Sequence, residues 1–594
     1  MTSMFGPLPD DGASWGVQDT AELRRIMAIP RRTWTQAQRD QAAMHWTHQL
    51  RTPQGTWSLH PDQGAALTEL AHYKGLNGLL DVGAGKTLLG YLAPVVLGAR
   101  KPLLLTRANL IAKTHNEAVG LGEQFRIATW MRAMSYEALG RVSHQGWLER
   151  YDPDLIVADE AHMLKNTSAG VTKRVIRWLR ERELQGRRCP ILLLTGTFVR
   201  DKITQYAHLV QYSTPQGWCW VPTNEHEVKE WSAALDEGIK VPMPVGALVN
   251  LASPPCAPEK SLVRTAYRER MLSTPSVIAT QGATIGASLD IREINIPAPH
   301  PDIIEACLAK LRQRWRTPDD WPLNSPADVW RVEQEIALGF YSTWDPRPPE
   351  DWKIARQDFS KAVRYLLGNN RRNLDTELEV VNAIDHGLYG KGVQAILARW
   401  RAIRPSFTPN VVAKWLSDHV VDAIAERYRK QREPLLVWVH HIPFAQRLAE
   451  KSGVPYFHKM GLNAQGTLID NHRGHAILSI QSNKVGRNLQ YSWARNLITF
   501  PGMPADDVEQ VMGRTHRQYQ KEDVVHVDLL VQCAAHVDGI DKAIANARYA
   551  LATHGIRQKL TYADITRDVS AGKGGAAGID TATWDRNYGR DEDE

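Results

Sequence analysis

Residues 75–97 read GLNGLLDV, then GAGKT, then LLGYLAPVVL. An apolar strand-like run thus enters Gly83-Ala84-Gly85-Lys86-Thr87 and leaves as an apolar helical segment, the strand, loop and helix order that a phosphate-binding loop requires. Glycines let successive backbone N–H groups converge on phosphate oxygens, and a helix N-terminus adds a favourable dipole. Lys86 supplies a point charge, and the Thr87 hydroxyl can join magnesium coordination. In the full G-x-x-x-x-G-K-T pattern the first glycine would stand at Leu80, so the match is partial. Taken alone, the segment also fits a glycine-rich strand-to-helix turn with a solvated lysine.

A second segment favours the chemical reading. Asp159-Glu160-Ala161-His162 follows the apolar run LIVA, so a buried strand delivers two carboxylates to the carboxyl edge of a sheet, where ligands bind in open α/β folds. Beside a phosphate loop, Asp159 suits magnesium, and Glu160 suits orienting or deprotonating an attacking water. An acidic turn capping the next helix is the structural alternative. The two motifs lie in the proper order on strand ends of one expected sheet.

Working outward, short aliphatic runs (PLLLT, PDLIVA, PILLLTGT) alternate with helical stretches from Trp57 to about Pro215, the pattern of a parallel sheet covered by helices. The same texture returns at PLLVWVHH and continues through AILSI, NLITF and VVHVDLLV to a helix near 535–553. The expected fold is therefore α/β, with two parallel-sheet lobes at 56–215 and 431–566. Between them, 216–430 is Pro- and Trp-containing and reads as a mixed, mainly helical insertion, with helices around 301–316, 326–339 and 351–367. Residues 1–55 read as a leader, and 567–594 as a flexible tail ending in Asp591-Glu592-Asp593-Glu594.

The 594 residues are 43% hydrophobic and 23% charged, a composition that buries several cores. The formal net charge of +7 suits a polyanionic partner without deciding one. The cysteines Cys189, Cys219, Cys256, Cys307 and Cys533 are scattered and never form C-x-x-C, which argues against a disulfide scaffold and structural zinc. The amino terminus lacks the pattern of a signal peptide, and no apolar run approaches a membrane span, so a cytoplasmic protein without membrane contact is expected. Residues 171–188 carry seven Lys or Arg against two Glu, which fits either a basic groove or a solvated amphipathic helix. Most of the 20 tryptophans are expected in cores.

With these segments in place the chain resembles the superfamily-two helicases and translocases, most closely the Swi/Snf-type DNA-dependent ATPases, whose lobes are RecA-like. The resemblance covers both lobes in eight ordered segments. LHPDQGAAL around Gln63 is similar to the adenine-sensing segment, and PLLLTRANL to the DNA-facing motif after the phosphate loop, which implies nucleic-acid contacts at Thr106 and Arg107. Ser135-Tyr136-Glu137 and DEAHMLKN, with Lys165-Asn166, match the Swi/Snf branch in particular. LLLTGTF resembles the coupling motif, centred on Thr195, Gly196 and Thr197, with Phe198 where that branch has proline. SIQSNKVGRNL resembles the fifth motif, keeping Ser479, Gly486, Asn488 and Leu489 but departing at Gln481, Asn483 and Lys484. It implies a nucleic-acid contact at Ser479 and coupling at Gly486. QVMGRTHRQYQ resembles the sixth motif, with Gln510, Arg514, His516, Arg517 and Gln520 in register and Tyr519 replacing a glycine.

The resemblance implies catalysis by Glu160, Gln510, Arg514 and Arg517, and ATP held by Gln63 and Gly83 to Thr87. Magnesium falls to Thr87 and Asp159, and DNA is the partner, duplex favoured over single strand or RNA. Guanidinium groups from the opposite lobe suit the negative charge that phosphoryl transfer spreads over equatorial oxygens. EIALGFYSTWDPRPPEDW is similar to phage-encoded helicases of this type, implying a host-cytoplasmic location, and the 216–430 insertion is a candidate surface for a protein partner. An ATP-gated clamp or protein-displacing remodeller without processive movement, and an RNA-directed motor, are the competing readings.

Overall fold

The computed structural model describes residues 16–567 except 82, 197–201, 238, 281–284, 324, 370–373, 556 and 564. Thr197, the start of the leader and the tail beyond 567 lie outside the described residues. Six strands, β1 (Leu76–Leu79), β2 (Pro102–Thr106), β3 (Arg132–Ser135), β4 (Leu155–Asp159), β5 (Ile191–Thr195) and β6 (Val277–Ala279), form a parallel sheet in the order β3-β2-β4-β5-β1-β6. Except for Asp159, β1, β2, β4 and β5 are buried along their whole length. That is why β2, β4 and β5 read as nearly continuous aliphatic runs: helices cover both faces of a parallel sheet. The register pairs Leu79 with Thr195 and Asp159 with Leu194, which brings the phosphate loop, the carboxylates and the coupling threonine to one edge.

The later strands are β7 (Ser288–Ile294), β8 (Phe340–Trp344), β9 (Val411–Trp415), β10 (Leu435–Val439), β11 (Tyr456–Phe457), β12 (Ala476–Ser479), β13 (Arg495–Ile498), β14 (Val524–Leu530) and β15 (Ile565–Thr566). Seven of them form a second parallel sheet, β11-β12-β10-β13-β14-β7-β15, while β8 and β9 pair antiparallel on their own. The fold is thus the expected α/β one, two parallel-sheet lobes with a mainly helical insertion.

The boundaries differ from those expected. β6 belongs to the first sheet and β7 to the second, although both lie within 216–430. The helices Glu225–Leu235 and Lys260–Leu272 belong with the first lobe as well, since Val228, Trp231, Tyr267 and Met271 share its core with Leu193. The insertion proper begins after β7. Its helices, Pro301–Arg314, Pro326–Ala337 and Glu350–Gly368, lie where the sequence predicts them. Trp352, Phe359, Trp400 and Phe407 make a core for its outer part. The leader is not separate either. Leu23 and Ile26 of its first helix enter the first-lobe core, and Ala43 and Leu50 of its second pack with Leu67 and Leu70.

The helix Gly170–Leu184 is not a free basic groove. Arg174 is buried and donates to Glu379 at 2.6 Å, and Arg177 donates to Asp375 at 2.9 Å, tying the insertion to the first lobe. Among the described residues no helix is long and apolar enough to cross a membrane.

Candidate active site

The phosphate loop leaves β1 and turns into the helix Lys86–Leu97, whose N-cap, Gly85, has φ +75° and offers no capping side chain. Glycine is required there twice over: its φ lies in the left-handed region, and a Cβ would stand 2.2 Å from Gln63 Nε2. Gln63 donates from Nε2 to the Ala84 carbonyl at 3.0 Å, while its Oε1 accepts from the His60 N–H at 2.9 Å. The residue read as an adenine sensor therefore braces the loop. The Lys86 ammonium donates to the carbonyls of Leu80 (2.9 Å) and Asp81 (3.1 Å). Thr87 follows it in the first turn of the helix.

Asp159 ends β4, and Glu160 turns the chain with φ +55°, a conformation that costs a non-glycine residue energy and is common at functional sites. Burial, and then the neighbouring Glu160, push the Asp159 carboxyl up. Burial acts the same way on Glu160, but His162, Lys86 and Arg514 together outweigh it and hold that carboxyl low. His162 Nδ1 lies 3.3 Å from Glu160 Oε2 and 3.4 Å from the hydroxyl of Thr195, which links the acid pair to the start of the coupling segment Thr195-Gly196. Tyr136 donates its hydroxyl to the Asp159 carbonyl at 2.8 Å, and Glu137 accepts from the Ala108 N–H at 3.0 Å.

Thr106 and Ser479, both expected at nucleic acid, each end a strand. Thr106 is fully buried at the end of β2, and its hydroxyl donates to Asp159 at 3.4 Å; Ser479 is buried at the end of β12. Thr106 thus braces the Asp159 carboxylate from within the lobe. Arg107 is half-buried, with Nε 3.3 Å from the Met163 sulfur.

The second lobe closes the site from the far side. The helix Ala505–Met512 carries Gln510, whose Oε1 is buried without a hydrogen-bond partner among the described residues, and leads to Arg514 and Arg517. Arg514 is buried, donates to the carbonyls of Gln510 (2.9 Å) and Arg487 (3.3 Å), and is electrostatically coupled to Glu160 across the cleft. Arg517 donates from Nη1 to Asn488 Oδ1 at 2.8 Å. Its Nη2 faces the phosphate loop so closely that a Cβ on Gly83 would lie 3.2 Å from it. Gly486, with φ +80°, sits against the first lobe: Lys113 donates to its carbonyl, and a Cβ there would meet Leu110 at 2.2 Å.

Reading the sequence left three contributors without a role. Lys165 reaches Asp506 at 3.3 Å and Lys113 reaches Gly486, both bridging the lobes. Lys559, in the segment after the last long helix, lies beside the arginines. Lys165 was visible in DEAHMLKN, but RQKLTY around Lys559 carries no motif.

The residues suit a magnesium nucleotide. Two left-handed glycines frame a loop beside a lysine, and the Thr87 hydroxyl and Asp159 carboxylate are oxygen donors of the kind magnesium takes together with phosphate oxygens. Among the described residues no group of three or more His, Cys, Asp or Glu forms a self-sufficient metal cage.

No family model and no curated protein matches this chain. Among solved structures, the helicase domain of Hef from Pyrococcus furiosus is similar over 80% of this chain and 96% of that one, with 11% identity and a TM-score of 0.35.

Proposed function

We propose that the protein is an ATP-driven helicase or translocase of the Swi/Snf type, acting on DNA with duplex preferred. The observation that carries this reading is the approach of Arg517, from the second lobe, to Gly83 of the first-lobe phosphate loop. A cation presented by one lobe to the phosphates held by the other makes turnover depend on closure, so hydrolysis and lobe movement become one cycle. Lys86 and the loop bind the phosphates, Glu160 orients water, and Arg514 and Arg517 neutralise charge that develops in transfer. Magnesium, held by Thr87 and Asp159, would screen the phosphate oxygens.

Support for the Swi/Snf flavour is the way its branch residues touch this centre: Tyr136 holds Asp159, Glu137 holds Ala108, and Lys165 reaches Asp506 of the second lobe. The net charge of +7 fits a polyanion. The deciding experiment measures ATP turnover with duplex DNA, single-stranded DNA and RNA. Duplex should stimulate most, and the stimulation should weaken steeply between about 50 and 200 mM salt as counterion release is lost. Turnover indifferent to nucleic acid would overturn the motor reading. Displacement of a distant third strand from a DNA triplex separates translocation from an ATP-gated clamp.

A further inference from the structure

After β14 the chain forms a long helix, Ala534–His554, that crosses between the lobes. Ile540, Ala543 and Ala547 pack in the second-lobe core, whereas Tyr549 packs in the first. The chain beyond it returns to the cleft. There the Lys559 N–H donates to the carboxylate of Glu509, the residue before Gln510. The Lys559 ammonium lies 4.8 Å from the centre of the Tyr562 ring, and that ring meets His516 edge-on at 5.8 Å.

Lys559 is only 5% exposed, yet its ammonium has no hydrogen-bond or ion-pair partner among the described residues. Burial strips most of the water from this ammonium, and the Tyr562 ring face replaces only part of it. The groups in electrostatic reach explain what it awaits. Glu509 and Asp81 supply negative charge, Arg514 and Arg517 positive, and His516 is adjacent. Lys559, Arg514 and Arg517 thus stand with Glu509 and Asp81, while Lys86, Asp159 and Glu160 share the same cleft. Asp81 stands two positions before Gly83, against which Arg517 is placed. Lys559 thereby joins the two arginines beside the phosphate loop.

We propose that Lys559 is a third cation of the nucleotide cleft, its ammonium taking an oxygen of the terminal phosphate of a bound nucleoside triphosphate. This rests on the nucleotide-binding reading above. Because Lys559 follows the helix that packs on both lobes, the contact ties the carboxyl-terminal segment to nucleotide state.

An acyl phosphate of ATP, which transfers its acyl group to a lysine amine beside the terminal phosphate and releases ATP, tests this on the unaltered protein. Peptide mapping should find acylation at Lys86 and Lys559, both blocked by excess ATP. Acylation at Lys86 alone would overturn the proposal, and acylation at neither would remove the nucleotide reading with it. Equilibrium binding to Lys559→Met, which keeps the shape of the stem, gives an independent answer. ATP affinity should fall by about tenfold or more, the loss of one charge-assisted contact, while ADP affinity changes less than about twofold. Equal losses for ATP and ADP, or no loss for either, would show that Lys559 only supports the fold.

Discussion

Lys86 spends its ammonium on two loop carbonyls, Leu80 and Asp81, and a phosphate can replace that pairing without disturbing the core around it. Lys86→Ala should therefore leave the unfolding midpoint nearly unchanged and abolish both ATP binding and turnover. Glu160→Gln should separate the two. Glutamine keeps an oxygen for His162 and leaves Asp159 in place, so nucleotide binding should persist while turnover is lost. Equal loss of binding in both variants would contradict the division of roles. Arg517 uses Nη1 on Asn488 and presents Nη2 to Gly83, so one planar fork is anchored and extended at once. Arg517→Ala should cut turnover by about 10³ to 10⁵ with ATP affinity largely kept, and Arg517→Lys should rescue little, since an ammonium cannot span both positions. Near-normal turnover in Arg517→Ala, measured alongside nucleotide affinity on one preparation, would transfer the role to Arg514.

At the scale of elements, the turn at Gly486 is one place where the two lobes touch. An alanine there would hold φ +80° at a cost of roughly 1–2 kcal/mol and press against Leu110. Gly486→Ala should lower stimulated turnover by roughly tenfold, with ATP affinity shifted less than about threefold because the phosphate loop lies in the other lobe. Adding Leu110→Ala should recover part of the loss by removing the clash but not the backbone strain. A double variant no better than the single one would mean the contact is incidental. Those elements with a strong local signal were legible beforehand: β4 and β5 are aliphatic runs ending in Asp159 and Thr195, and the insertion helices start at Pro301, Pro326 and Glu350. β6 and β7 were not. Val277–Ala279 is too short to carry a period, and Ser288–Ile294 alternates Leu289, Ile291 and Glu293 inward with polar residues between, so neither resembles a covered parallel strand. The burial of Thr106 and Ser479 was not legible, because position along a motif does not report which way a strand-terminal side chain faces.

Across the whole molecule, the lobes are joined not only by the nucleotide cleft but by the helix Ala534–His554, whose end is fastened to the first lobe. His554 Nε2 lies 3.3 Å from the Tyr206 hydroxyl, and Arg268 donates to the Leu551 carbonyl at 3.2 Å. Burial pushes the His554 imidazole down to about 3, from an ordinary value of 6.5. The unfolded chain therefore takes up this proton as pH falls through 6.5, while the folded chain refuses it until far lower. The stability this residue contributes is complete above pH 6.5 and is lost as pH falls towards 3. Asp159, Asp81 and Glu509, whose carboxyls burial pushes up, act with the opposite sign, so the total pH profile mixes both. A variant isolates the histidine. Between pH 7.5 and 5.5 the protein should lose about 1.4 kcal/mol more unfolding free energy than His554→Gln, the cost of one protonation withheld over one unit below 6.5. Urea unfolding at the two pH values measures it. Parallel profiles would mean that His554 is protonated in the folded protein, and that the helix end opens to water without unfolding the lobes.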